Sequence, residues 1–123
     1  MTRLRSVPVH LRAQVPAVDD YPAILAAQMC IAGLPEPARE LKFCPWRKFR
    51  FDLAYSDLLW AFEINGAIWQ QGRHSRGSGL IKEYEKLNLA QSLGWRVYQF
   101  STDQVTSGYA LAFIEKELKG CER

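Results

Sequence analysis

Residues 48–65 read Lys-Phe-Arg-Phe-Asp-Leu-Ala-Tyr-Ser-Asp-Leu-Leu-Trp-Ala-Phe-Glu-Ile-Asn, and this stretch decides the fold. Phe49, Phe51, Leu53 and Tyr55 alternate with Lys48, Arg50, Asp52 and Ala54, the pattern of a half-buried strand. After Ser56-Asp57-Leu58 a second alternation sets Trp60, Phe62 and Ile64 against Ala61, Glu63 and Asn65. A turn centred on Asp57-Leu58 pairs Tyr55 with Trp60, Leu53 with Phe62 and Phe51 with Ile64, all apolar and all on one side of a hairpin. A one-residue slip would split these groups between two faces, so burial selects this register.

The same register sets Asp52 opposite Glu63 on the other face, with Cβ atoms roughly 4.5–5.5 Å apart, where like charges repel. A cation between them would hold both anions. Mg²⁺ suits such a place, because it takes one or two carboxylates and completes its shell with water and substrate phosphate. The small neighbours Ala54 and Ala61 are expected to leave open space beside the pair. The alternative is a surface ion network in which Arg50, on the same face, neutralises the two acids.

Outward from the hairpin, Asp20 is placed to cap a helix from Tyr21 to Ala32, with Pro22 in the first turn and Gly33 as the stop. Its apolar stripe is Ile24, Leu25, Met29 and Ala32. Leu34-Pro35-Glu36-Pro37 forbids continuation. Beyond the hairpin, a Gly-rich loop runs from Gly66 to about Gly79. A helix then spans Leu80 to Leu93, with Leu80, Tyr84, Leu87 and Ala90 on one face and Gly94 as its stop. Trp95 to Phe100 forms a short interior strand, and Leu111, Ile114 and Leu118 mark a last helix. The sum is an α/β fold: a small mixed β-sheet with an antiparallel hairpin, flanked by α-helices. Residues 1–18 read as a poorly ordered arm and 19–123 as a single domain.

The 123 residues suit one domain, and 48% hydrophobic with 24% charged is the balance of a globular protein. No apolar run spans a bilayer and no signal-peptide core follows the basic N-terminus, so a cytoplasmic location is expected. Cys30, Cys44 and Cys121 are three in number and lack CxxC spacing, which argues against a disulfide framework or a zinc site. Two buried thiols and one near the C-terminus are expected instead. The net charge of +3 is uneven. Arg39, Lys42, Arg47, Lys48 and Arg50 gather before the hairpin, and Arg73-His74-Ser75-Arg76 forms a second cluster. Either is a solvated face or a footprint for a polyanion.

At this point the chain resembles a family. Arg50-Phe51-Asp52-Leu53-Ala54 and Ala61-Phe62-Glu63-Ile64-Asn65-Gly66 look like the hairpin of PD-(D/E)xK endonucleases. The closer likeness is to small phage and prophage endonuclease-domain proteins related to very-short-patch-repair endonucleases. It continues through Gly72-Arg73-His74-Ser75-Arg76-Gly77, Glu85-Lys86-Leu87-Asn88 and Gly94-Trp95-Arg96-Val97, and so covers about residues 34 to 118. The resemblance implies a restriction-endonuclease-like fold and Mg²⁺-dependent phosphodiester hydrolysis, with Mn²⁺ as a substitute. It also implies DNA as partner, Asp52 and Glu63 as metal ligands, and the cytoplasm of a bacterial host as location. One departure is plain: the lysine of the third motif position falls on Asn65, which carries no charge.

Two residues are candidates for the missing role. Lys86 lies on the following helix, from which relatives can supply the lysine, and an ammonium there could orient the attacking water. Its bland alternative is an ion pair with Glu83 one turn away. His74 lies in the loop where the repair relatives carry acid/base histidines, and histidine titrates near neutrality. Glu40 is a third acid in reach of the hairpin, or a surface partner of Arg39 or Lys42. Arg47, Lys48, Arg73 and Arg76 are the expected phosphate contacts. Trp69 could stack on a base or belong to the core. The expected function is DNA endonuclease. The alternatives are a non-catalytic nucleic-acid-binding module on the same fold and a branched-DNA resolvase; the oligomeric state is open, a homodimer included.

Overall fold

A computed structural model describes residues 19–65 and 77–121. The arm expected over residues 1–18 lies outside the described residues, as does most of the Gly-rich loop. Within the span read as one domain, the chain divides into two compact units: residues up to Pro37 together with those from Thr102, and Ala38–Ser101.

The first unit is helical. Helix α1 (Tyr21–Ile31) starts where Asp20 Oδ1 accepts the Ala23 N–H at 3.2 Å, with proline in the first turn. It ends in a Schellman motif: Gly33 at φ 85° donates its N–H to Cys30, and Leu34 donates to Met29. Leu25, Ala26, Met29 and Cys30 are its buried residues, one step round from the expected stripe, since Ala32 is exposed. The same unit holds a short helix the hydrophobic pattern does not announce, α3 (Thr102–Thr106), and the amphipathic α4 (Tyr109–Cys121). Val105, Ala110 and Ile114 are fully buried there.

The second unit is a sheet of four strands: β1 (Ala38–Lys42), β2 (Arg50–Tyr55), β3 (Trp60–Asn65) and β4 (Arg96–Ser101), adjacent in that order. The first two pairings are antiparallel and β3 with β4 is parallel. A parallel pair needs a crossover, and helix α2 (Ser78–Ser92) lies between the two strands in sequence. Its end is a second Schellman motif, with Gly94 at φ 90° and Trp95 N–H donating to Ala90 O at 3.0 Å. From there Arg96 N–H reaches Leu59 O at 2.8 Å, which starts β4 beside β3. β1 is a strand the alternation does not predict. It is an almost wholly exposed, charged edge, so no burial imposes a pattern on its sequence.

The hairpin register holds for Tyr55↔Trp60, Ala54↔Ala61 and Leu53↔Phe62. Leu53, Tyr55, Trp60 and Phe62 are buried on one face, with the Tyr55 and Phe62 rings edge-on at 5.7 Å. Ala54 and Ala61 are buried on the other face with Ala90 of α2. The space expected beside these two alanines is therefore filled by the helix. Phe51 departs from the alternation. It packs with Ala54, Ala61 and Ala90 rather than on the side of Leu53. Its ring stacks on Phe43 at 4.1 Å and meets Trp95 at 4.9 Å. Full burial of such a ring is worth roughly 1.5–3 kcal/mol, enough to override local alternation. In the neighbouring strand Glu40 takes φ 52°, and the register resumes at Leu41↔Phe51. Cys30 and Cys44 are buried and Cys121 is exposed, all as free thiols, in line with the sequence.

Candidate active site

Beyond Leu53↔Phe62 the hairpin stops behaving as a ladder. The Asp52 N–H donates to Glu63 Oε2 at 2.9 Å, and the Ile64 N–H donates to Asp52 Oδ2 at 2.9 Å. Each acid thus binds a backbone amide of the opposite strand, and side chains replace the main-chain pairing. The two expected partners are brought together, but by these side-chain hydrogen bonds, since the ladder register ends at Leu53↔Phe62. Asp52 is half-buried and Glu63 is 6% exposed.

Lys86 completes the group. It projects from α2, and its Nζ donates to Glu63 Oε1 at 2.6 Å. The ammonium also lies 5.7 Å from the centre of the Phe51 ring, whose face favours a cation. The inward side of α2 includes Glu83, Lys86, Leu87 and Ala90, whereas Leu80 and Tyr84, expected on it, are exposed. The pair with Glu83 suggested by spacing is replaced by one with Glu63, twenty-three positions away.

Burial pushes the Glu63 carboxyl above its ordinary value, opposed by the hydrogen bond and charge of Lys86 and reinforced by the negative charge of Asp52. Lys86 therefore favours the ionised carboxylate against the effect of burial.

Asp52 and Glu63 are acceptable ligands for a hard divalent cation. Among the described residues Asp52 Oδ1 accepts no hydrogen bond, and each Glu63 oxygen keeps a second lone pair. Two carboxylates with water and phosphate making up the shell is a common Mg²⁺ arrangement. No third His, Cys, Asp or Glu joins them among the described residues. Glu40 is exposed on the edge strand and does not enter the group.

The position of the missing motif lysine is filled by an amide pair. Asn65 Nδ2 donates to Gln99 Oε1 at 3.0 Å, while Glu63 is the register partner of Gln99 across the parallel strands. Gln99 is a neighbour that sequence reasoning did not name, because nothing in one sequence fixes a parallel register. Of the expected phosphate contacts, Lys48 is exposed. Arg47 Nη2 binds Glu85 at 3.1 Å, and its guanidinium lies 4.3 Å over the Phe49 ring. An exposed pair of that kind is worth only about 0.2–1 kcal/mol, so a phosphate could displace the glutamate. His74, Arg73, Arg76 and Trp69 lie outside the described residues.

No helix among the described residues is long and apolar enough to cross a membrane. Compared with family models, curated proteins and solved structures, the chain matches none significantly.

Proposed function

We propose that this chain is a metal-dependent endonuclease that hydrolyses phosphodiester bonds in DNA. The observation that carries the reading is the Asp52–Glu63–Lys86 group: two acids interlocked at the end of a hairpin, one held by a half-buried lysine at 2.6 Å. A structural ion pair needs neither the second acid nor the broken ladder. Asp52 and Glu63 would hold Mg²⁺, or Mn²⁺ in its place. When bound, such a cation polarises the scissile phosphate and makes water a better nucleophile.

The chain's own groups do the rest. Asp52 Oδ1 and Glu63 fix the site on rigid strands, so little reorganisation is needed at the moment of reaction. Lys86 favours the ionised form of Glu63, and its Nζ would donate to the attacking water as hydroxide character develops. It supplies the charge that Asn65 lacks. The exposed cations before the hairpin, Lys48 among them, hold the phosphate backbone, which makes binding salt-sensitive.

The rival reading, a non-catalytic DNA-binding module, is favoured by one fact: both Glu63 oxygens already have protein partners. Incubating supercoiled plasmid with the purified chain, in Mg²⁺ or in chelator, separates the two. Nicking in Mg²⁺ that is absent in chelator, and absent in Asp52→Asn, is the expected result. DNA binding without nicking in Mg²⁺ would establish the module instead.

A further inference from the structure

The segment between β1 and β2 carries an aromatic that the fold does not use. Trp46 is 66% exposed, while Phe43, Cys44 and Arg47 near it are held by the fold. Cys44, two positions earlier, is 1% exposed. Phe43 stacks on Phe51 at 4.1 Å. The Arg47 N–H closes a turn onto Cys44 O at 3.4 Å, and the Arg47 side chain bonds to Glu85, the residue before Lys86 on α2. A turn tied to the core through Cys44 and to α2 through Arg47 thus holds an indole in solvent near the helix that carries Lys86.

The surroundings say what the indole meets. Lys42 and Lys48 are exposed and form no ion pair among the described residues, and Arg50 is exposed on the adjoining strand. No carboxylate lies among the residues from Leu41 to Phe51. An exposed aromatic with exposed cations two and four positions away along the chain suits single-stranded nucleic acid, with phosphates on the cations and a base on the ring. An apolar protein partner would gain nothing from lysines that form no ion pair among the described residues.

Resting on the endonuclease reading, we infer that Trp46 stacks on an unpaired base of the DNA substrate, with Lys42 and Lys48 binding the flanking phosphates. The chain then prefers single-stranded DNA, or duplex with an unpaired base, over fully paired duplex. A paired base has its faces covered by its neighbours and offers the indole nothing.

The test is equilibrium binding, in Ca²⁺ to block cleavage, of a labelled oligothymidylate, a paired duplex, and the same duplex with one unpaired thymine. Trp46→Ala should weaken binding to the first and third by roughly 5- to 150-fold. Affinity for the paired duplex should stay unchanged. Trp46→Phe, which keeps an aromatic face, should recover most of the loss. Because tryptophan has no charge, Trp46→Ala should keep the wild-type dependence on salt, whereas Lys48→Ala should make it shallower. Wild-type affinity of Trp46→Ala for oligothymidylate would overturn the stacking inference and leave the endonuclease reading standing. So would an equal loss on paired duplex. Failure of the wild-type chain to bind any of the three would overturn both.

Discussion

The two halves of the β2–β3 hairpin share one alternating pattern and end in opposite chemistry. Towards the turn, Leu53–Tyr55 and Trp60–Phe62 pair residue for residue and are buried on both faces. Towards the open end, Asp52 and Glu63 give their carboxylates to amides that a ladder would pair, and Lys86 comes in from the helix. The first half minimises free energy in the ordinary way, with apolar area out of water and backbone groups matched. The second places two like charges together where one is almost fully buried, which a fold has no reason to do for stability alone. On the endonuclease proposal, the difference would separate the structural half from the reacting half of a single supersecondary unit.

The largest effect should come from removing the cation that holds the open end. Lys86→Met should lower single-turnover cleavage by roughly 10²–10⁴-fold, the range for a positioned proton-transfer group. A near-wild-type rate would return Lys86 to a merely structural role. Core truncations sharpen the contrast. Phe51→Ala and Leu53→Ala should each cost about 2–5 kcal/mol of stability in denaturant titration. Only Phe51→Ala should also slow cleavage at temperatures where both variants are folded, because its ring packs beside the Lys86 ammonium. Equal rates in the two variants would break the distinction between the halves.

A smaller effect concerns pH. The Glu63 carboxyl is raised above 4.5, chiefly by burial. Between that value and its folded one, the native state holds a proton that the unfolded state has lost. Glu63's contribution to stability is therefore greatest in acid and declines as pH rises through the window. Thermal midpoints of wild type measured against Glu63→Gln should show a difference that falls with rising pH. In Lys86→Met the fall should extend to higher pH, because the hydrogen bond and charge of Lys86, which lower the carboxyl, are gone. A difference that grows with pH would contradict the burial argument.

How much of this could be read from the sequence follows from where local pattern governs. The turn half was legible because alternation and burial act on the same residues, Leu53, Tyr55, Trp60 and Phe62. That same register placed Asp52 opposite Glu63, and the helix after the hairpin offered Lys86. The caps at Asp20, Gly33 and Gly94 were equally plain, each resting on one residue's chemistry. What escaped was set by partners far along the chain. Phe51 changed sides because Phe43 and Trp95 offered it a stack. β1 pairs through its backbone while every residue but Leu41 is exposed, so its composition carries little signal. Gln99 reached Asn65 only through the parallel pairing of β3 with β4.

The central claim is that the open end of the hairpin is built to hold a cation. Its most direct test is the thermal midpoint of wild type and Asp52→Asn, each with and without Mg²⁺. Asp52→Asn keeps an oxygen for the Ile64 N–H and removes the repulsion with Glu63, so without metal its midpoint should equal or slightly exceed that of wild type. Mg²⁺ at ten times its dissociation constant stabilises the state that binds it by about 1.4 kcal/mol. Wild type should accordingly rise by roughly 4–8 °C, and Asp52→Asn should not move. A wild-type midpoint indifferent to Mg²⁺, or an equal rise in both proteins, would contradict the account.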